Sequence, residues 1–238
     1  LFQITLLSDS AELETFSNEL KILSSLRHRN IINFYGACFI EPRIGIVMEY
    51  CERGSLDQLI SKKEESLSMR TKIKLLLDIA MGMAFLHSKG VIHRDLKCAN
   101  VLVDIHFCAK VADFDSARKK KSGSNVQYTQ RIGTSHYIAP EVMTQENYTE
   151  KCDVFSFAMI LFEVLTENLK PFGDRAFANV EIATRPDYRP KLPNEFLEDD
   201  KIKWYIELMQ RAWLHNYEER PSFDEIVTIL AEKNEQLK

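Results

Sequence analysis

The sequence predicts an α+β protein, with a small strand-rich lobe followed by a larger, mainly helical one. Two observations carry this. Strand and hairpin signals dominate before Gly54, and apolar residues at helical spacing dominate after it. No internal repeat is visible. The lobes are expected at 1–50 and 51–238, joined near Cys51, with ligands in the cleft between them.

The elements follow in order. Leu1 to Leu7 is apolar with Gln3 and Thr5 inserted, which reads as a strand. Ser8, Asp9 and Ser10 offer N-caps for a helix from Ala11 to Leu26, where Leu13, Phe16, Leu20, Leu23 and Leu26 recur at helical spacing. Ile31 to Ile40 and Ile44 to Tyr50 read as strands joined by a turn at Glu41, Pro42 and Arg43. Ser68 caps a helix with Ile73, Leu76, Leu77, Ala80, Ala84 and Phe85 on its apolar face, ending near Gly90. Val101–Val103 and Lys110–Ala112 are short strands around a turn. A polar loop runs from Ser116 to Gln130, and helices dominate from Asp153 onward.

Composition narrows the function classes. Lys plus Arg is 31 against 35 for Asp plus Glu, a net charge of -4 that gives no reason to expect nucleic acid as partner. The five cysteines, Cys38, Cys51, Cys98, Cys108 and Cys152, are widely spaced without a CxxC pair, so reduced thiols in the cytoplasm are expected. The longest apolar run, Val154 to Leu165, is too short to span a bilayer, so a soluble protein is expected. The chain opens at Leu1 with no basic leader or apolar signal core, and reads as a cut through a longer chain.

The chemistry is concentrated in His93-Arg94-Asp95-Leu96-Lys97-Cys98-Ala99-Asn100. Asp95, Lys97 and Asn100 supply a carboxylate, an amine and a carboxamide that one loop can aim into one pocket. Asp113-Phe114-Asp115 and then Ala139-Pro140-Glu141 follow. Phosphoryl transfer needs this inventory: a carboxylate to orient the hydroxyl, a cation on the transferring phosphate, and oxygen ligands for Mg²⁺.

These three segments resemble the HRDLxxxN, DFG and APE signatures of the eukaryotic protein kinase domain, in order, departing only at Asp115. The resemblance covers nearly the whole chain. It implies a bilobal kinase-like fold, ATP and Mg²⁺ as cofactors, and protein substrates. Asp95 becomes the catalytic base, with Lys97 on the phosphate and Asn100 and Asp113 as metal ligands. Ile46 to Cys51 is similar to the hinge, with Met48 as gatekeeper, backbone groups of Glu49 and Cys51 on adenine, and Leu102 beneath the ring. Glu19 takes the position of the helix glutamate that pairs the ATP-binding lysine. Leu23, Phe34, His93 and Phe114 match the apolar spine. The resemblance further implies that Asp153 accepts catalytic-loop N–H groups and that Glu141 pairs with Arg220. Lys97, with Gly133-Thr134 before Tyr137, favours Ser/Thr transfer, Thr134 bridging Asp95 and Lys97. Gly36-Ala37-Cys38 and Gly54-Ser55-Leu56 look like the tyrosine-kinase-like group, which includes mixed-lineage and Raf-type kinases. Ser122, Ser124, Tyr128 and Thr129 are candidate acceptors for an upstream kinase acting on 116–134, although such residues are common in any polar loop.

Two family parts are absent. No two of the eight glycines are separated by a single residue, so the Gly-rich loop over the phosphates is missing. Aligning the opening strand on V-A-I-K puts roughly Ile4 at the lysine position. The first lysine, Lys21, lies about 200° round the helix from Glu19. Asp115 in place of glycine is a modulator of the loop. Three readings therefore stand: a Ser/Thr kinase domain with little or no transfer by these 238 residues alone, a pseudokinase that binds through its kinase-shaped surface, and a truncated product with no stable existence.

Overall fold

In a computed structural model of the chain, β1 (Phe2–Leu7), β2 (Phe34–Ile40) and β3 (Arg43–Glu49) form an antiparallel three-stranded sheet in the order β1-β3-β2. The structure describes residues 2–7, 24, 26–40, 43–62, 66–114, 117–119, 135–144, 149–173 and 178–237. The helix expected over 11–26 and the turn residues Glu41 and Pro42 lie outside these.

The strand expected from Ile31 starts only at Phe34, because Ile31 and Ile32 serve a different partner. Ile31 bridges Val111, the Ile32 N–H donates to the Val111 carbonyl at 2.9 Å, and both side chains are buried. These two residues belong to the helical body, not to the sheet. A bulge between Phe34 and Gly36 then resets the register against β3.

The rest is mainly helical. α1 (Leu56–Ser61) leads to α2 (Met69–Ser88), which starts where expected: the Thr71 N–H donates to the Ser68 hydroxyl at 3.1 Å. The buried face of α2 is broader than its sequence pattern. Of the expected face Ile73, Leu76 and Ala80 are buried and Leu77, Ala84 and Phe85 partly so, and Leu75, Ile79, Met83 and Leu86 are buried as well, because α2 packs against both the last helix and the strand before Asp113. Gly82 is needed there, since a Cβ would sit 2.6 Å from the Asn30 carbonyl. Gly90, at φ +68°, ends the helix in a conformation that glycine adopts without strain.

β4 (Val91–Ile92) pairs with β7 (Arg118–Lys119), and β5 (Val101–Val103) with β6 (Ala109–Val111). α3 (Pro140–Met143) precedes α4 (Lys151–Thr166), in which every residue from Cys152 to Leu165 is buried. Of the remaining helices, α5 (Ala178–Thr184) packs on α3, α6 (Asn194–Leu197) is a single turn, α7 (Lys203–Ala212) packs on α4 and α8 (Phe223–Gln236) on α2. The small antiparallel sheet and largely helical remainder bear out the α+β class. Among the described residues no helix is long and apolar enough to cross a membrane.

Candidate active site

The loop between β4 and the 3₁₀ turn Cys98–Asn100 carries the predicted chemistry, and α4 holds it from below. Asp153, fully buried in the first turn of α4, accepts the His93 N–H at 2.9 Å and the Arg94 N–H at 2.8 Å. A third bond joins its Oδ2 to His87 Nε2 at 2.9 Å. Burial alone would push the Asp153 carboxyl up. The hydrogen bond and charge of His87, with His93 and the Arg94 N–H, instead hold it below the ordinary carboxylate value. Arg94 is left-handed, at φ +69°, a conformation costly for a non-glycine residue and kept by these flanking bonds.

That turn brings three expected side chains together. Lys97 Nζ lies 2.7 Å from Asp95 Oδ2, and Asn100 Nδ2 donates to the same oxygen at 2.9 Å. Asn100 Nδ2 also reaches the Asp95 carbonyl at 2.8 Å, closing the loop on itself. Asp95 remains partly exposed, with 38% of its side-chain surface open.

Asp113 reaches the same region from β6. The Ala112 N–H donates to the Asn100 carbonyl at 2.9 Å, so the two expected metal ligands are tied one residue apart from a shared bond. Asp113 is exposed and left-handed at φ +64°. Phe114 turns inward and packs on His93 with ring centroids 5.2 Å apart, while His93 Nε2 lies 3.1 Å from the Ala112 carbonyl. An exposed carboxylate such as that of Asp113 suits Mg²⁺, which takes few protein oxygens and fills its sphere with water and phosphate. Among the described residues no group of three or more His, Cys, Asp and Glu gathers as a self-sufficient metal cage.

At the expected hinge the Glu49 N–H donates to the Asn33 carbonyl at 2.9 Å. Its carboxylate accepts from Asn33 Nδ2 at 2.9 Å and pairs with Lys110 Nζ at 3.0 Å. Lys110 is buried and also donates to the Arg29 carbonyl. Nothing in the spacing of Asn33, Glu49 and Lys110 revealed this network, since it depends on which strands become neighbours. Cys51 is buried, and burial followed by the Glu49 charge pushes its thiol up to about 12, so it is an inert thiol. Leu102 pairs with Lys110 and bridges Ser55, beside the hinge exit.

The β1 register sets the expected lysine position against β3. Gln3 lies opposite Met48 and Thr5 opposite Ile46, whereas Ile4 lies opposite Val47. β1 contains no lysine at any position.

Glu141 and Arg220 form the expected buried pair: Nη1 to Oε1 is 2.7 Å and Nη2 to Oε2 is 2.9 Å. Glu19, Leu23, Asp115, Thr134 and the candidate acceptors Ser122, Ser124, Tyr128 and Thr129 lie outside the described residues.

Comparison with known proteins adds a family-level finding. The family model described as protein tyrosine and serine/threonine kinase matches residues 4–230. A putative serine/threonine-protein kinase/receptor of Acanthamoeba polyphaga mimivirus is 38% identical over 232 residues, 97% of this chain and 14% of that protein. A serine/threonine-protein kinase of Arabidopsis thaliana is 36% identical over 219 residues, 92% of this chain and 37% of its own length. A serine/threonine/tyrosine-protein kinase of the same plant is 38% identical over 227 residues, covering 94% and 56%. The chain thus spans between 14% and 56% of these relatives.

Proposed function

Because the chain belongs to the protein tyrosine and serine/threonine kinase family, we propose that its cleft performs phosphoryl transfer from ATP to Ser/Thr hydroxyls of protein substrates. The observation that carries this is the convergence of Lys97 and Asn100 on one oxygen of Asp95, at 2.7 and 2.9 Å. That contact fixes the Asp95 carboxylate and leaves its second oxygen to accept the substrate hydroxyl proton. Lys97 is within reach to move from Asp95 to the transferring phosphate, and Thr134 is assigned to the same substrate-side contact. Asn100 and Asp113 would hold Mg²⁺, which supplies charge neutralisation between the phosphates. The carbonyl of Glu49 and the backbone of Cys51 would take adenine, with Leu102 beneath it. Residues 1–50 are assigned to the small lobe and 51–238 to the hinge and large lobe.

The family uses ATP and divalent metal generally, and its substrates are proteins. We place the protein in the cytoplasm, which its five free cysteines suit, and assign an upstream kinase to the 116–134 loop.

A second reading, a pseudokinase or scaffold, is favoured by one observation: β1 reads Phe-Gln-Ile-Thr-Leu-Leu, with no cation for the phosphates. One experiment separates the two. Purified chain is incubated with Mg²⁺, ATP and a mixed protein substrate, alongside Asp95→Asn. Loss of a general base is expected to lower transfer by roughly 10²–10⁴-fold. Transfer that survives Asp95→Asn overturns the assignment of Asp95. No transfer by the parent chain, with Mg²⁺·ATP still raising its melting temperature, supports the binding reading.

A further inference from the structure

The buried helix α4 is fastened along its length by carboxylates. Asp153 holds the loop at its start, and Glu163 Oε1 lies 2.9 Å from His136 Nε2. At its exit stands Glu167, in the left-handed conformation at φ +51°. One oxygen of Glu167, Oε1, meets three donors from the entry to α2. These are Lys72 Nζ at 2.9 Å, the Ser66 hydroxyl at 2.9 Å and the Leu67 N–H at 3.2 Å. Lys72 also donates to the Leu165 carbonyl at 3.1 Å. Burial pushes the Glu167 carboxyl up, but its bonds to Lys72, Ser66 and the Leu67 N–H hold it below the ordinary value.

The three side chains differ in access. Lys72 keeps 9% of its side-chain surface and Glu167 20%, whereas Ser66 is exposed. Ser66 and Leu67 also lie outside any helix or strand, the kind of backbone that another enzyme can engage. The hydroxyl that an enzyme can reach is therefore bonded to the same oxygen as a nearly buried ammonium.

We propose that Ser66 is a phosphorylation site whose phosphate takes Lys72 away from Glu167. In the step itself a Ser/Thr protein kinase transfers the γ-phosphoryl group of Mg²⁺·ATP to Ser66 Oγ. The Oγ–P bond forms, the bond from the γ-phosphorus to its bridging oxygen breaks, the hydroxyl proton passes to that kinase's base, and ADP leaves. Glu167 thereby loses one of its three donors outright, since the hydroxyl hydrogen is gone. The modification also sets nearly two negative charges beside a carboxylate that already carries one. The two anions compete for one ammonium, and the phosphate brings three acceptor oxygens against the single oxygen that Glu167 uses. The first turn of α2 contains no acidic residue, and the positive end of the helix favours an anion there. The new pair lies within the segment 66–72, whereas the bond from Ser66 to Glu167 spans 101 residues of chain. Phosphorylation thus loosens the fastening between the entry to α2 and the exit of α4, and Glu167 loses bonds that hold its left-handed conformation. The inference requires no transfer by the chain's own cleft.

The test has two parts. The 238-residue chain is incubated with a eukaryotic cell lysate, Mg²⁺·ATP and phosphatase inhibitors, and its peptides are sequenced by mass spectrometry. A phosphate on Ser66 is expected. Phosphate on Ser68 or elsewhere with none on Ser66 overturns the site, as does a chain that takes up no phosphate. Phosphoserine is then encoded at position 66 and its ³¹P shift titrated. Capture of Lys72 should lower the second phosphate pKa by about one unit from its usual value of about 6. Lys72→Gln should return it to that value. A phosphate that titrates at the usual value in the phosphorylated chain, or a lowered value that survives Lys72→Gln, overturns the exchange of partners. Should Lys72→Gln fail to fold, Glu167→Gln decides the matter. Removing the rival anion should lower the phosphate pKa further, and an unchanged value refutes the proposal.

Discussion

The floor beneath the Asp95 loop and the strand β1 are built on opposite terms. Beneath the loop, α4 buries Asp153, Ser156 and Glu163, and each has specific partners. Ser156, for example, donates to the Tyr137 carbonyl at 2.9 Å. Polar groups are buried in this way only when their bonds are made, and such networks fix one geometry. β1, by contrast, pairs with β3 alone among the described strands and contains no lysine or arginine. The loop that carries Asp95, Lys97 and Asn100 is therefore held in one geometry, whereas β1 brings no cation. Phosphoryl transfer needs both, but they are separable: one sets geometry, the other neutralises charge.

The largest effect is expected from breaking the well-built half. Arg220 is 1% exposed and makes two bonds to Glu141, one to the Leu214 carbonyl and one to the Lys151 carbonyl, beside the Phe155 ring. Arg220→Ala would leave Glu141 as a buried, unpaired charge, which costs about 3–5 kcal/mol. Urea unfolding monitored by fluorescence measures this. A loss under about 1 kcal/mol would mean that the frame does not depend on the pair.

The next effect comes from repairing the other half. Thr5→Lys puts an ammonium at the register position opposite Ile46, whereas Ile4→Lys puts it opposite Val47. The first should raise Mg²⁺-dependent transfer by roughly 10²–10³-fold, the scale of one well-aimed electrostatic contact, and the second should leave it unchanged. Equal effects, or a gain from Ile4→Lys alone, would show that the strand does not face the nucleotide in this register.

That distinction also marks how far the sequence could be read. The loop Asp95–Lys97–Asn100 was legible because its chemistry lies within six consecutive residues, and local spacing is what a sequence displays. Ser68 and Gly90 were legible as helix limits for the same reason. The Asp153 and Arg220 contacts were reached only by resemblance, since each spans dozens of residues. The lysine position could be set only roughly at Ile4, because a strand of period two needs its partner before its faces are known. Reading Ile31 as strand failed because an apolar β-branched pair suits a sheet and a helical core equally well. The Lys110–Glu49 pair and the two histidine–carboxylate contacts left no local signal. Their partners, 27 to 66 residues apart, become neighbours only once α4 and the short strands are in place.

The smallest predicted effect belongs to a single carboxyl and lies on the acid side. Asp153 is held below its ordinary value of 3.8 in the folded chain, because its bonds to His87 and to the loop N–H groups outweigh the upward push of burial. An unfolded Asp binds its proton at that ordinary value, so between the two values the unfolded state holds more protons than the native state. Stability therefore rises with pH across that window. The contribution is complete above the ordinary value, and is lost as pH falls from there through the lower folded value. Unfolding midpoints measured in steps below about pH 5 should fall in the parent chain and fall less steeply in Asp153→Asn, whose side chain cannot take up the proton. The variant will start from lower stability, since its amide can accept the loop N–H groups at one atom only, so the slope rather than the midpoint is the diagnostic. Equal slopes would mean that the acid sensitivity of the fold arises elsewhere, and that the floor of the loop is held by packing more than by this carboxylate.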